Sequence, residues 1–289
     1  MATGQLSLGQ LAALASLWEA SAGKPGNVHR AADFEDLTFI DFAASAVAIA
    51  PAFDAAASDA RLGAVVFNAV TATRQTVATN ANLGAVLLMA PLALAARRSS
   101  RSLREAVVGV LAALDAEDAR LVYEAIRLAS PGGMGRVNEA DVSGDAPDDL
   151  LHAMRLASHR DLVARQYANG FAELFDRVVP EIAAGLARGW PLGQTIVYSQ
   201  LRLMSEFPDS LIARKCGDAV AKQSAALAGA ALAAGEPNDT AYVRAVADLD
   251  FWLRSDGHRR NPGTTADLLA AGLFASLLTG AIQLPVKFY

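Results

Sequence analysis

The sequence predicts an all-α fold, and three observations support that prediction. Apolar residues recur at intervals of three and four positions, as they do from Val163 to Phe175 and from Leu121 to Leu128. Alternation of β-branched residues with a period of two, which is typical of strands, is almost absent. The 289 residues are 53% hydrophobic, which is enough to fill a large core, and neither an internal repeat nor a domain linker is visible. We therefore expect one globular multi-helix domain over residues 1–289.

The predicted helices follow one another with breaks at turn-forming residues. Pro25 and Gly26 follow the first helix, and Pro262 and Gly263 precede the last. The longest break extends over residues 130–147, a length typical of functional loops, and we expect it to act as a lid. The last helix is apolar almost all round, so we expect it at the centre of the bundle. The pattern places helices at about 5–22, 36–57, 59–77, 83–97, 101–114, 117–129, 148–176, 178–188, 191–206, 209–234, 238–255 and 264–283.

Charge and composition exclude several classes of function. The net charge is −5 and the basic residues are scattered, so the chain has no basic surface suited to a nucleic acid. The single Cys216 cannot form an internal disulfide, and the first residues lack the pattern of a signal peptide. The apolar runs are too short or marginal for a membrane span, and the four histidines lack zinc-ligand spacing. We expect a cytoplasmic protein that binds small molecules and neither nucleic acid nor membrane; a homo-oligomer stays open.

The segment 261–268 combines a turn with the start of the last helix. Its sequence, Asn-Pro-Gly-Thr-Thr-Ala-Asp-Leu, predicts free N–H groups and a partial positive charge that could hold an anion. Asp267 in the first turn would repel a phosphate unless a cation such as Mg²⁺ lay between them. Arg260, directly before the turn, is also placed for anion binding. The alternative is an ordinary capped helix.

A second turn of similar composition lies near the other end of the chain. It contains Lys24, Asn27 and His29 and is followed by the carboxylates of Asp33 and Asp36. Two Pro-Gly turns with such neighbours favour one shared site over two plain linkers. The alternative for His29 is a structural turn residue. Elsewhere, the basic pair at 214–215 could bind a phosphate, but it is interpreted as a solvated helix face, which is the commoner role of such a pair.

Four segments in this order resemble the triphosphoribosyl-dephospho-CoA synthase family. They are Lys24-Pro25-Gly26-Asn27-Val28-His29, Thr79-Asn80-Ala81-Asn82-Leu83-Gly84, Tyr123-Glu124-Ala125-Ile126 with Pro131-Gly132-Gly133-Met134-Gly135, and Asn261-Pro262-Gly263-Thr264-Thr265-Ala266-Asp267-Leu268. Members of that family are all-helical. They join ATP to 3′-dephospho-CoA through the ribose of ATP and release adenine, which makes the precursor of the prosthetic group of citrate and malonate lyase-type carrier proteins. The chain resembles a divergent branch, because members that serve the lyases typically have Leu and Asp where it has Asn27 and His29.

The resemblance implies ATP as a substrate and nucleotide-like small molecules as binding partners, and the position of Asp267 beside the predicted anion site implies Mg²⁺ as a cofactor. We expect Asp267, with Asp33 or Asp36, to hold Mg²⁺ against the triphosphate. We expect His29 and Asp36 to transfer protons and Asp33 to stabilise an oxocarbenium-like transition state, with the acidic neighbours raising the pKa of His29. The residues expected to bind nucleotide or phosphate are Lys24, Gly26, Asn27, Asn80, Asn82, Gly132, Gly133, Arg260, Asn261, Gly263, Thr264 and Thr265.

Three alternatives stay open at the level of the sequence. Divergent branches of the family also occur beside genes for one-carbon cofactors of the methanopterin and methanofuran type, which implies a related phosphoribosyl-type transfer. An Mg²⁺-dependent N-glycosidic hydrolase would use water in place of the acceptor. A helical nucleotide-binding scaffold would bind without reacting.

Overall fold

A computed structural model describes residues 6–56, 60–98, 102–131 and 141–289. The protein is 69% helical, which confirms the all-α prediction. A four-residue extended segment, β1 (Ser255–His258), is too short to build a sheet. The helices are α1 (Leu8–Ser21), α2 (Phe39–Asp54), α3 (Leu62–Thr76), α4 (Leu83–Arg98), α5 (Leu103–Ala112), α6 (Ala116–Ala129), α7 (Leu150–Ala157), α8 (Leu162–Asn169), a π-helix (Leu174–Val178), α9 (Val179–Ala187), α10 (Leu192–Glu206), α11 (Ser210–Cys216), α12 (Asp218–Ala233), α13 (Thr240–Arg254) and α14 (Gly263–Leu278).

Two of the predicted helices are divided in the structure, in each case by an identifiable local signal. The predicted helix at 148–176 is interrupted where the Asp161 carboxylate accepts hydrogen bonds from the first amides of α8, and α8 ends at Gly170 with a φ of +69°. The predicted helix at 209–234 is divided at Gly217, whose φ of +92° is compatible with glycine and costly for other residues. Local capping chemistry therefore overrides a continuous apolar pattern at both places.

Helix α14 lies at the centre of the protein, as the sequence predicted. It packs against α1, α4, α9, α10 and the π-helix. Close approach to the π-helix depends on Gly272, because a Cβ at that position would lie 2.3 Å from Val178 Cγ1. The side chains of Leu269, Leu273 and Phe274 are fully buried. Because α14 is surrounded, its N-terminal end is fixed in position by the rest of the bundle.

The buried apolar side chains form two clusters. The larger cluster lies around α14 and includes residues from α1 to α9. The smaller cluster is formed by α10 to α13 and includes Ile212, Tyr242 and Leu253. Helix α10 contributes to both, with Ile196 in the larger cluster and Leu201 in the smaller one. Within the described ranges, no helix is both long enough and apolar enough to cross a membrane.

Candidate active site

A cavity of about 1080 Å³ opens beside the N-terminal ends of α4 and α14. The two Pro-Gly turns meet at its wall, where Asn27 and Val28 come from the first turn and Asn261 and Gly263 from the second. The segment at residues 79–85 and parts of α1, α2, α6, α7, α8 and α11 also contribute to the wall. The volume lies at the upper end of the range of small-molecule sites, about 300–1,000 Å³. The cavity can therefore hold a ligand of nucleotide size or larger.

Side-chain amides connect the two turns. Asn27 Nδ2 donates to Asn261 Oδ1 at 2.5 Å, across 234 positions of sequence. Gln200 in α10 donates from Nε2 to Asn27 Oδ1 at 2.7 Å and to the Pro25 carbonyl at 3.0 Å. Gln200 is completely buried, and the sequence did not single it out. These bonds form a buried amide chain, Gln200 to Asn27 to Asn261, that leads to the cavity wall.

Gly26 holds the first turn against α13. Its φ is +74°, and a Cβ there would lie 2.7 Å from Leu253 Cδ1. Its N–H donates to Asp250 Oδ1 at 2.7 Å, and Asp250 also accepts from Arg254 Nε at 2.8 Å. Arg254 in turn donates to the carbonyl of Asn27. Gly26 is therefore required by backbone geometry, and it does not line the cavity.

Lys24 is buried beneath the wall and paired with Glu19. Its ammonium donates to the Glu19 carbonyl at 2.6 Å and lies 2.9 Å from Glu19 Oε1. Burial raises the pKa of Glu19, and the charge of Lys24 partly opposes that effect. Glu19 lines the cavity, whereas Lys24 does not. The structure therefore uses the Lys24 charge to balance a buried carboxylate, and the predicted contact of Lys24 with phosphate is not present in this geometry.

Asp267 reaches the cavity wall beside the first turn of α4. Its carboxylate accepts a hydrogen bond from the Ala85 N–H, and a Cβ at Gly84 would lie 2.0 Å from its Oδ2. The residue is partly accessible, but protein surrounds the carboxylate. The pKa of Asp267 is raised well above its usual value, first by desolvation and then by the carboxylates of Glu19 and Asp209. Asp267, Glu19 and Asp209 are therefore close enough to influence one another beside the cavity.

The other two carboxylates predicted to hold metal are both exposed. Asp33 is exposed and accepts a hydrogen bond from the Phe39 N–H at 2.6 Å. Asp36 is exposed at the rim of the cavity, with Oδ1 3.4 Å from His258 Nδ1. Among the described residues, no three His, Cys, Asp or Glu side chains are grouped so that they could hold a metal ion. The pairing of Asp267 with Asp33 or Asp36 at a metal ion therefore stays a prediction.

His29 lies outside the cavity wall in a turn. Its Nδ1 accepts a hydrogen bond from the Ala31 N–H at 3.3 Å, and its backbone pairs with Ala32. Its pKa is lowered from 6.5 by burial first and then by the positive charges of Arg254 and Lys24. The expectation that acidic neighbours raise this pKa is wrong, because desolvation and two cations outweigh Asp33. The histidine at the cavity wall is His258, which packs on the Phe34 ring at a centroid distance of 5.2 Å.

The first amides of α14 are engaged within the protein. Thr265 donates from N–H at 2.8 Å and from Oγ1 at 2.9 Å to Asp209 Oδ2. The Gly263 N–H donates to the Asn261 carbonyl at 2.9 Å. Thr264 lines the cavity, and its Oγ1 accepts from Ser210 at 3.0 Å. The prediction of free amides over 263–265 is therefore wrong for Gly263 and Thr265.

The two asparagines before α4 both have protein partners and both line the cavity. Asn80 Oδ1 accepts from the Leu83 N–H at 3.2 Å and caps the helix. Asn82 is buried and its amide exchanges hydrogen bonds with Thr73 Oγ1, with Nδ2 at 3.1 Å. Capping explains Asn80, and a buried tertiary contact explains Asn82.

Arg260 lies away from the cavity wall. Its guanidinium stacks over the Trp252 ring at 4.4 Å and donates to the Trp252 carbonyl at 2.9 Å. The last two predicted binding residues, Gly132 and Gly133, lie outside the described residues. The anion-binding role that the sequence assigned to Arg260 has no counterpart in this arrangement.

Several cations also line the cavity. Lys215 and Arg214 of α11, interpreted above as a solvated face, both belong to the wall, as does Arg160. Arg214 forms an ion pair with Asp161. Arg127 donates to the carbonyls of residues 142 and 144 at 3.1 Å. The cavity wall thus contains carboxylates near Asp267 and a cationic region at Arg160, Arg214 and Lys215, which also holds Asp161. This composition is suited to a polyanionic ligand with a bound cation.

Comparison with known proteins gives a consistent result. The chain matches the family described as ATP:dephospho-CoA triphosphoribosyl transferase (CitG) over residues 5–285. It is also similar to a crystal structure from Archaeoglobus fulgidus that is provisionally named a triphosphoribosyl-dephospho-CoA synthase. The TM-score is 0.65 and the identity 27%, over 83% of this chain and 99% of that one. A search of curated proteins gave no match.

Proposed function

The chain belongs to the ATP:dephospho-CoA triphosphoribosyl transferase family, and on that premise we propose that it transfers the triphosphoribosyl group of ATP to 3′-dephospho-CoA and releases adenine. In this reaction the bond between the ribose C1′ and adenine breaks, and a bond between C1′ and an acceptor hydroxyl oxygen forms. The hydroxyl loses a proton and adenine gains one, so the reaction needs no other reactant.

The observation that supports this proposal is the composition of one cavity. Its wall combines residues of the segments that resemble the family, namely Asn27, Asn80 and Asn261, with the cations Arg160 and Lys215. A triphosphate carries several negative charges and is attracted to cations at a partly enclosed surface. We infer that the triphosphate contacts the cationic region.

We propose that Mg²⁺ binds with the triphosphate at Asp267. Two features support this proposal: the pKa of Asp267 is raised by burial and by the carboxylates of Glu19 and Asp209, and a bound cation would offset both effects. Mg²⁺ usually takes one or two protein carboxylates and completes its shell with phosphate oxygens and water, so three clustered side chains are not required. Asp267, with Glu19 close enough to influence it, fits that donor set. When bound, the ion would neutralise phosphate charge.

We propose that His258 and Asp36 take the proton-transfer role that the sequence assigned to His29 and Asp36. Both line the cavity, and their separation of 3.4 Å allows Asp36 to orient the imidazole. His258→Gln should lower turnover by about 10²-fold, the usual minimum size of a general acid–base effect. A His258→Gln enzyme with an unchanged rate and pH profile would assign proton transfer to the carboxylates.

The proposed function is tested by quantifying free adenine after incubation with ATP and Mg²⁺, with and without 3′-dephospho-CoA. Release that depends on the acceptor, together with a product of the summed mass less adenine, supports the transferase. Release without an acceptor would instead support the N-glycosidic hydrolase, and tight ATP binding without release would support the scaffold. Release that requires a one-carbon cofactor precursor in place of dephospho-CoA would support the related phosphoribosyl-type transfer.

A further inference from the structure

The orientation of the Gln200 side-chain amide is determined by its neighbours. Its Nε2 lies 3.0 Å from the Pro25 carbonyl oxygen, which can only accept a hydrogen bond. With the amide turned over, two oxygens would face each other in a buried position. The Pro25 carbonyl therefore determines that Gln200 Nε2, and not Oε1, is the atom that contacts Asn27.

This orientation passes along the amide chain to the cavity. Because Gln200 Nε2 is a donor, the Asn27 atom at 2.7 Å must be Oδ1, and Asn27 then presents Nδ2 to Asn261. The Asn261 atom at 2.5 Å from Asn27 Nδ2 must accordingly be Oδ1. The amide nitrogen of Asn261 is the group that remains. One backbone carbonyl thus determines which atom of Asn261 is left for a ligand.

The remaining nitrogen lies beside the start of α14. A Cβ at Gly263 would be 3.7 Å from Asn261 Nδ2, and both residues line the cavity. Among the described residues, none accepts a hydrogen bond from this nitrogen. The partial positive charge of the helix N-terminus adds to that of the amide hydrogens, so an anionic or strongly accepting ligand atom is favoured at this point.

Gln200 keeps its own acceptor without a partner. Its Oε1 is buried and unpaired among the described residues, and the whole side chain is inaccessible. An unpaired buried carbonyl is costly, and an apolar side chain of the same shape would avoid that cost. The surroundings of Gln200 therefore satisfy its amide nitrogen, which has two acceptors, and leave its amide oxygen without a donor.

We propose that Gln200 is a positioning residue that, through Asn27, holds Asn261 with its Nδ2 directed to an oxygen acceptor of the nucleotide substrate, a phosphate or ribose oxygen. The inference rests on the proposed function for the identity of the nucleotide as ATP. The Pro25 carbonyl sets the orientation of all three side-chain amides, so Asn261 presents its N–H donor to the ligand before binding. No amide has to rotate when the ligand binds.

The test measures ATP affinity directly by calorimetry, so that it does not depend on transfer. Asn261→Asp keeps the acceptor for Asn27 and replaces the outward nitrogen with oxygen. Asn27→Asp leaves Asn261 as it is but removes its donor, so Asn261 must turn its nitrogen inward. Each should weaken ATP binding at least tenfold more than Asn80→Asp, which adds the same charge to the cavity wall outside the amide chain.

A neutral substitution separates orientation from charge. Gln200→Met removes the amide, and its effect is compared with Gln194→Met on the same helix, where the amide instead donates to Asn238. We expect Gln200→Met to weaken ATP binding about fivefold or more and to add little when combined with Asn261→Asp, because both act on one donor. Gln194→Met should have a smaller effect.

The inference fails if Asn261→Asp and Asn27→Asp weaken ATP binding no more than Asn80→Asp, whatever the behaviour of the Gln200 variant. It also fails if a folded Gln200→Met protein binds ATP as Gln194→Met does. If Gln200→Met does not fold, the two asparagine variants decide. Tight wild-type ATP binding that is lost in those variants, but without adenine release, would uphold the amide chain and refute the proposed transfer.

Discussion

Asp209 accepts both hydrogen-bond donors of Thr265, the backbone N–H at 2.8 Å and the hydroxyl at 2.9 Å. Through its other oxygen it accepts the N–H groups of Leu211 and Ile212 at the start of α11. One buried carboxylate therefore caps two helices, and it occupies the place at α14 that the sequence assigned to a ligand phosphate.

Removal of the Asp209 carboxylate should destabilise the protein more than the loss of any single hydrogen bond to it. Asp209→Ala leaves three backbone N–H groups without their acceptor in a buried position, and we expect a loss of about 2–4 kcal/mol in the free energy of unfolding. Thr265→Val removes the hydroxyl bond alone and should cost about 1 kcal/mol. Chemical denaturation measures both, and equal costs would show that Asp209 does not cap the two helices cooperatively.

The contact of Gly84 with Asp267 predicts a selective effect of a single methyl group. Gly84→Ala would place Cβ 2.0 Å from Asp267 Oδ2, so the carboxylate must move. We expect adenine release to fall more than tenfold and stability to fall by about 1–3 kcal/mol, the usual cost of overpacking. The control is Gly109→Ala on α5, where an added Cβ meets nothing within 4 Å. A Gly84→Ala enzyme with normal activity would remove Asp267 from the site.

The cationic region predicts a specific loss of polyphosphate affinity. Arg160→Gln and Lys215→Gln should each weaken inhibition by inorganic tripolyphosphate about fivefold to tenfold, because each removes a charge from the cavity wall. The effect should decrease at high salt. Arg188→Gln is the control, since Arg188 stacks on Trp190 at 4.8 Å and does not line the cavity. If tripolyphosphate inhibits all three variants equally, the triphosphate does not bind at Arg160 and Lys215.

His29 should contribute to stability and little to turnover. Its pKa in the folded protein lies below 6.5, so as the pH falls below that value the unfolded chain takes up a proton before the folded protein does. The contribution of a neutral His29 is therefore present above pH 6.5 and is lost as the pH falls toward the folded pKa. The free energy of unfolding of His29→Gln, measured by denaturation from pH 7.5 to 5, should lack the pH dependence that His29 contributes. Its turnover should stay within about threefold of wild type. A loss near 10²-fold would restore the catalytic role.

Local patterns predicted the helices well because each depends on neighbours three and four positions away. They overlooked the divisions at Asp161 and Gly217, where a side-chain cap and a positive φ interrupt an apolar pattern that continues on both sides. The central position of α14 followed from its apolarity on all faces. Its surroundings also explain why two of its first three amides are occupied.

The site was predictable only in part, because its chemistry depends on contacts distant in sequence. Asn27 and Asn261 stood out as turn residues, but nothing near Gln200 indicates that it reaches Asn27 across 173 positions. Asp209 is likewise 56 positions from Thr265. In the sequence, Lys24 and His29 resemble ligand-binding groups. Only the structure shows that Lys24 is paired with Glu19 and that His29 is partly buried near cations.

The two apolar clusters that share α10 have a consequence for hydrogen exchange. Helices α11 to α13 pack on the smaller cluster, and we expect them to open as a cooperative unit separate from the larger one. Asp250 and Arg254 of α13 hold the turn at Gly26 and Asn27, although no residue of α13 lines the cavity. Opening of that unit would release one wall of the site, so a ligand that binds the closed wall must slow amide exchange in a helix it never touches. Slower amide exchange in α13 would thus indicate that a ligand is bound in the cavity.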